Sequence, residues 1–489
     1  MLLRAGFQEC TDEMAKGKLD FLSKDEIERI HSTSMRVLAE VGVVVHSRAV
    51  TKMLIEAGAS QSKDGRRLLI PENLVKGCLS DAPKSIILAG RDEATDMKLP
   101  SPNRMYVANG GEGIYIKDLL TGATRPSTTD DVRDFMILIE SLPQIDFAWG
   151  MVGALDQPTH LKNIAELRTA FAYTSKHIQG GAASTEEAIQ AIRMASVFTG
   201  GTEGLAKKPV MSSVCCPISP LAFEDGLSEA QVEFAKAGVP IVSMSAAVAG
   251  LTSPVTISGT VAQVNAENLA SLVMTQVAKK GAPWIYSSDS CPGDLRTGSI
   301  DYGAVEAQLM RTAAAQMGRH YGLPVMAAGI GIENTSLDLS SVREGIPYMM
   351  LMALVPSDLG SGFGGLDQAA GAAFEQMIVD AWIWDSAREF IREFDADHGA
   401  IGFDLIREAG IDGNFLGKRH TLTRFKKEFI ATSKPEAVFS GRVNRTERGA
   451  VVKKAKKEAE RILKENRGPV ASKDELRAMD EIVARVKSA

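Results

Sequence analysis

Residues 281–289 read GAPWIYSSD, and residues 322–329 read GLPVMAAG. In each, a short apolar run (284–286, 324–328) stops abruptly at Ser, Asp or Gly, and a long helical pattern follows. Strand, small polar residues and helix in repetition are the rhythm of a parallel β/α fold, whose chemistry sits at the strand exits. The rhythm extends in both directions. Strand-like runs fall at 145–149, 177–179, 209–214, 240–244 and 355–360. Helical patterns lie at 131–142, 160–174, 185–198, 224–237, 257–280, 301–321, 340–353 and 372–393. Seven strands are one short of a barrel, and either the segment 105–108 or an irregular piece would supply the eighth. An open doubly wound sheet is the rival, but it calls for a GxGxxG turn opening a helix. GGEG at 110–113 lacks that spacing, and GFGG at 362–365 comes too late in the chain. The expected fold class is α/β: a (β/α)8 TIM-type barrel over 101–395. A helical and hairpin extension precedes it over 1–100, and a helical tail follows over 396–489.

Outside the barrel the signals are local. Ser23 and Glu26 make a capping box, and Ile27, Ile30, Val37, Leu38 and Val41 continue it as a helical apolar stripe that Gly42 can end. The alternation at 105–107, the GGEG turn and the alternation at 114–116 read as a hairpin or strand pair. The tail is rich in Lys453, Lys454, Lys456, Lys457 and neighbouring glutamates, which reads as a solvated peripheral helix.

Composition narrows the function classes. Hydrophobic residues make up 45% and charged residues 24%, as in ordinary globular proteins, and the net charge of −6 offers no basic face for nucleic acid. No apolar run reaches the roughly 20 residues a membrane helix needs, so the expected location is the cytoplasm. The five cysteines show neither a CxxC pair nor Cys/His ligand spacing, so neither disulfides nor a structural zinc is expected.

The residues past each strand end converge on one mouth in a barrel. Here that set is poor in ionisable groups. Of seven histidines only His177 falls on a strand, at its start, and no lysine stands at a strand exit. Metal ligation and Schiff-base chemistry therefore lack their residues. Cys215 and Cys216 have no adjoining cation to lower a thiol pKa and read as packing residues. Aromatics near the exits (Trp149, Tyr286, Phe363, Tyr348 and also Tyr302) could face a cation with their rings, although core filling competes for each. Glu112, Asp289 and the pair Glu333 and Asp338 are carboxylates placed to reach the mouth, and Arg296 and Arg311 could offer a fork to a substrate carboxylate. Such a site would bind a cation with an acidic tail and leave the hard chemistry to a cofactor from outside.

Several longer segments, in order, resemble the trimethylamine methyltransferase family. They are KDLLTG at 117–122 with RP at 125–126, LP at 142–143, ID at 145–146, SPVTISGTVAQVNAEN at 253–268, GAPWIY at 281–286, RTGSIDYG at 296–303 and GLP at 322–324. The resemblance implies a (β/α)8 barrel whose mouth is capped by a separate corrinoid protein carrying cob(I)alamin, with no metal bound by the chain itself. Members that demethylate trimethylamine carry pyrrolysine where this chain reads ENTSLD at 333–338 with ordinary residues. The resemblance therefore points to the branch acting on quaternary amines, glycine betaine first, with proline betaine, carnitine and trimethylamine as alternatives. On this reading Asn334, Glu112 and Asp289 are the candidate catalytic residues. Trp149, Tyr286, Phe363, Tyr348, Arg311 and Arg296 are the candidate substrate contacts, and Gly180, Gly181, Ser245 and Gly331 would face the cofactor. A barrel lyase or aldolase would need a lysine or ligand set that is absent from the strand ends. A non-catalytic betaine-binding protein, and association into homo-oligomers, stay open.

Overall fold

Eight parallel strands close on themselves in sequence order. They are β1 (Tyr106–Asn109), β2 (Phe147–Trp149), β3 (His177–Gly180), β4 (Met211–Cys215), β5 (Ile241–Ser245), β6 (Trp284–Ser288), β7 (Val325–Ala327) and β8 (Leu359–Phe363). Eight helices follow them in turn: α1 (Thr129–Ser141), α2 (Thr159–Tyr173), α3 (Thr185–Ser196), α4 (Asp225–Ala237), α5 (Ile257–Ala278), α6 (Val305–His320), α7 (Leu339–Leu354) and α8 (Phe374–Phe390). The structure is a computed structural model describing residues 19–488, apart from 103, 328, 330, 331, 333, 336, 338, 393 and 429–450. At 339–343, 390, 426, 427 and 488 it describes the backbone alone. The barrel expected from the sequence is thus present, and 105–108 does supply its eighth strand.

Alternation along each strand divides its side chains between two cores. Ala108, Phe147, Val242, Met244, Ile285, Met326 and Leu359 fill the lumen. Val107, Ala148, Ile178, Met211, Ile241, Trp284 and Val325 belong to the outer core, which includes the surrounding helices. The N-terminal end of the lumen is stoppered by an antiparallel strand pair, Ile86–Leu88 with Met97–Leu99. Ile86, Leu88, Met97 and Leu99 pack into the same cluster as the lumen residues. The sequence gives no sign of that pair, because three-residue strands carry too short a pattern to stand out. The barrel is therefore closed by packing at its N-terminal end, and in a fold of this kind the chemistry sits at the other end.

The glycine turn at 110–113 does not make a hairpin. Tyr106–Asn109 enters the barrel, whereas Tyr115–Lys117 pairs with Thr124–Pro126 and Gly371–Ala373 in a separate four-stranded sheet. The KDLLTG and RP residues build this sheet's turn. Asp118 accepts from the Leu120 and Thr121 amides, while Arg125 forks onto Asp131 at 2.6 and 2.8 Å and reaches Asp118 at 3.0 Å.

The helix Lys24–Arg36 begins at the expected Ser23/Glu26 capping box, and a π-turn over Val37–Val41 ends at Gly42. Gly42 has φ +80°, and a Cβ there would lie 2.4 Å from the Leu68 carbonyl oxygen, so no other residue fits. The Lys176 ammonium is buried between α1 and β2 and donates to the carbonyls of Ile139, Leu142 and Ile145. The tail helices Val451–Glu465 and Lys473–Ser488 differ from the solvated reading. Each turns one apolar face inward, burying Ala455, Ala459, Ile462 and Met479 against the barrel helices. No helix among the described residues is long and apolar enough to cross a membrane.

Candidate functional site

The loop leaving β1 is shaped to carry the β2 exit. Buried Asn109 donates from Nδ2 to the Trp149 carbonyl at 2.8 Å and accepts from the Trp149 amide on Oδ1 at 2.8 Å. This pairing locks the backbone of Trp149, whose half-buried ring packs at the upper edge of the lumen cluster. Gly111 lies against that ring: a Cβ there would come within 3.0 Å of Cε2. The next residue, Glu112, is held at φ +58° by its amide bond to the Gly150 carbonyl, 2.6 Å, and its side chain is exposed.

The β6 exit supplies a second group. Arg311, on α6 and 3% exposed, meets the Asp289 carboxylate at 2.7 Å and donates to the Gly329 carbonyl at 2.6 Å. The Arg311 guanidinium also lies 5.3 Å from the Tyr302 ring centroid. Burial pushes the Asp289 carboxyl upward from the usual carboxylate range, and Arg311 and the Tyr302 hydroxyl pull it back. The negative charge of Asp289, followed by burial, holds the Tyr302 hydroxyl above its ordinary value. Cys216 is reachable by solvent yet recessed near Asp289 and Glu112. Burial, followed by the charges around it, pushes its thiol up to about 12, the opposite of an activated nucleophile.

The loop after β8 crosses over to these groups. Asp367, Gln368 and Ala369 hold three successive left-handed conformations, φ 48, 52 and 72°. For residues other than glycine this stores strain, which surrounding contacts must hold in place. Those contacts are present: Tyr115 hydroxyl to Asp367 at 2.8 Å, Gln368 amide to the Ile332 carbonyl at 2.9 Å, and Tyr302 amide to Gln368 Oε1 at 3.3 Å. The Asp367 amide also reaches the Asn334 carbonyl. At the root of the loop the buried Asp380 carboxylate accepts from the Gly364 amide at 2.8 Å, and burial raises its pKa to about 7.

The structure therefore brings Asp289 and Arg311 into contact and places Trp149, at the end of β2, beside the loop that carries Glu112. Others go elsewhere. Tyr286 is fully buried on the outward side of β6, its hydroxyl donating to Asn265 of α5, because Ile285 takes the lumen side. Phe363 also faces outward, edge-on to Trp384 of α8. Tyr348 sits on α7, packed against the outer core. Arg296 is 92% exposed beside Asp294. Ser245 turns its hydroxyl to Glu267 of α5, away from the lumen. Gly180 and Gly181 stand at the β3 exit, where Gly181 borders a cleft of about 260 Å³ on the flank between α2, α3 and Val486. Asn334 enters through its backbone bonds, to Asp367 and from its own amide to Glu344. Gly331, Glu333 and Asp338 lie outside the described residues. Among the described residues no group of three or more His, Cys, Asp or Glu could hold a metal ion. Gln179 falls within the strand-exit set by position but carries no assigned role from the sequence, and Asn109 and Gln368 give no sequence signal, since amides carry no charge pattern.

Comparison with known proteins bears on this site. A family model described as trimethylamine methyltransferase (MTTB) matches residues 7–489. The chain is 28% identical over 406 residues to "Trimethylamine methyltransferase MttB" of Desulfitobacterium hafniense, covering 83% of this chain and 82% of the relative. It is 27% identical over 419 residues to "Glycine betaine methyltransferase" of the same species, covering 84% and 86%. Among solved structures, the Methanosarcina barkeri monomethylamine methyltransferase superposes with a TM-score of 0.53 at 9% identity, covering 97% of this chain and 90% of the other. At that identity the likeness speaks for the barrel fold alone.

Proposed function

The chain belongs to the trimethylamine methyltransferase family, and from that membership we propose that it takes a methyl group from a quaternary amine, glycine betaine foremost. The acceptor is cob(I)alamin held by a separate corrinoid protein that docks over the mouth. The observation carrying this reading is Trp149, an indole pinned at the mouth by Asn109 and Gly111 with Glu112 on the adjoining loop. A ring face suits a permanent cation, worth about 2 kcal/mol when the contact is dry. Ordinary residues at 333–338 support a quaternary amine over trimethylamine.

The corrinoid, when its carrier is bound, supplies the nucleophile for the methyl carbon. The chain's own part is to bind and orient. Trp149 holds the ammonium, and the small residues Gly110, Gly111 and Gly150 leave the approach to it open. The leaving group is a neutral tertiary amine that needs no proton, so the mouth requires neither a general acid nor a nucleophile. Positive charge disappears from nitrogen as the bond breaks, so excluding water favours the transition state over the bound cation.

Incubating the chain with glycine betaine and free cob(I)alamin tests this reading. The methylcobalamin spectrum should grow as dimethylglycine accumulates. No transfer from any betaine, with ligand binding intact, would replace this reading with that of a binding protein.

A further inference from the structure

Gln179 is wholly buried on β3, and among the described residues neither its Oε1 nor its Nε2 has a hydrogen-bond partner. A buried carboxamide in that state costs free energy, and native proteins keep such groups where something else satisfies them. Its direction follows from alternation. Ile178 packs into the outer core, so His177 and Gln179 point into the lumen. One layer below, His177 bonds the Ala89 carbonyl and the Ser212 hydroxyl at 3.0 Å each, and burial lowers its pKa to about 4, so it is neutral and already satisfied. Gln179 is thus an unpaired polar group of the upper lumen among the described residues. In register it stands directly opposite Trp149 on β2. The Trp149 ring leans on Gly111, on the β1 side of β2 and away from β3.

The geometry points to Gln179 as a specificity-determining residue that receives the polar tail of the quaternary amine, its Nε2 donating to a tail oxygen while the ammonium rests on Trp149. This rests on the reading given under Proposed function and deepens it. Gln179 and Trp149 are register partners on neighbouring strands about 4.8 Å apart at the backbone, so a short tail on an ammonium held on the β3-facing side of the indole is directed at the carboxamide. Arg311 is the alternative partner for such a tail, but Asp289 and the Gly329 carbonyl already engage its terminal nitrogens. The site therefore selects compact quaternary amines bearing a carboxylate or hydroxyl, and tailless ones gain nothing from Gln179.

Three ligands test it with the full chain: glycine betaine, choline and tetramethylammonium, each measured by calorimetric Kd and by methyl transfer to cob(I)alamin. Gln179→Leu should weaken glycine betaine and choline about 10-fold and leave tetramethylammonium within two-fold. It should also raise the thermal midpoint of the ligand-free protein by about 1–2 °C, because an unpaired amide is removed. Gln179→Glu should weaken glycine betaine more than choline, since only the former brings a like charge. Equal weakening of all three ligands, no weakening of any, or a lowered midpoint for Gln179→Leu would overturn the assignment. If the unsubstituted chain takes none of the three, the assignment of compact quaternary amines falls; if it takes no betaine at all, the underlying function itself falls, an outcome separate from a failure of Gln179 alone.

Discussion

The Asp289 carboxylate and the Arg311 guanidinium meet at 2.7 Å, and through the Gly329 carbonyl this pair ties the loop after β6 to the loop after β7. Arg311 is nearly sealed from water while Asp289 is 28% exposed, so the pair straddles the boundary between core and mouth. Removing one partner leaves the other poorly compensated. Arg311→Ala should destabilise the protein by about 2–3 kcal/mol, less than for a fully buried pair because water reaches Asp289. Adding Asp289→Ala should cost less than the sum of the two single changes, by about 1–2 kcal/mol in a denaturant-based double-mutant cycle. Strict additivity would mean that the two groups do not act as a pair.

Trp149 and Gly111 should behave as a unit. Trp149→Ala should raise KM for a quaternary amine about 10-fold, the loss of roughly 1.4 kcal/mol of cation contact, and Trp149→Phe should restore most of it. Gly111→Ala leaves the ring present but drives a methyl group to within 3.0 Å of it. Steady-state kinetics should place this variant near Trp149→Ala. A Gly111→Ala enzyme with unchanged KM would show that the indole's position does not matter.

Asp380 predicts a pH dependence of stability. Its folded pKa, about 7, lies above the ordinary 3.8, so the folded state binds more protons than the unfolded chain between those values. Stability therefore falls as pH rises from about 4 to 7, and this group adds no further change above that. The drop is on the order of 2–4 kcal/mol. Asp380→Asn should flatten the profile in that window, since Gln376 can turn its amide to face the new side chain. Urea midpoints measured from pH 4.5 to 8 decide it, and an unchanged slope in the variant would refute the assignment.

Glu267 is the clasp behind Ser245. Its buried carboxylate accepts from the hydroxyls of Ser219 and Ser245, the Leu221 amide and Gln263 Nε2. Glu267→Gln turns one acceptor into a donor facing donors, which should cost about 2 kcal/mol. Hydrogen exchange should quicken at Leu221 while the amides of β6 stay protected. Uniform quickening across the barrel would point to general loosening instead.

Much of the barrel was legible because its helices are long and its strands end in sharp polar or glycine punctuation, as at 284–289 and 324–329. The mouth was less so. Tyr286 and Phe363 lie near strand exits, yet which side of a strand a residue takes depends on alternation counted from a neighbour such as Ile285. The 86–99 stopper gave too few residues for a period to register. Gln179 carried no signal by itself; only the closed barrel sets it beside Trp149 with its amide unpaired.

A co-crystal of the chain with glycine betaine tests the cation site most directly. The trimethylammonium group should lie over the Trp149 ring, within about 6 Å of its centroid, with the carboxylate turned toward Gln179. Density for the ligand in the flank cleft beside Gly181, or at the mouth with its nitrogen away from any ring, would contradict that placement.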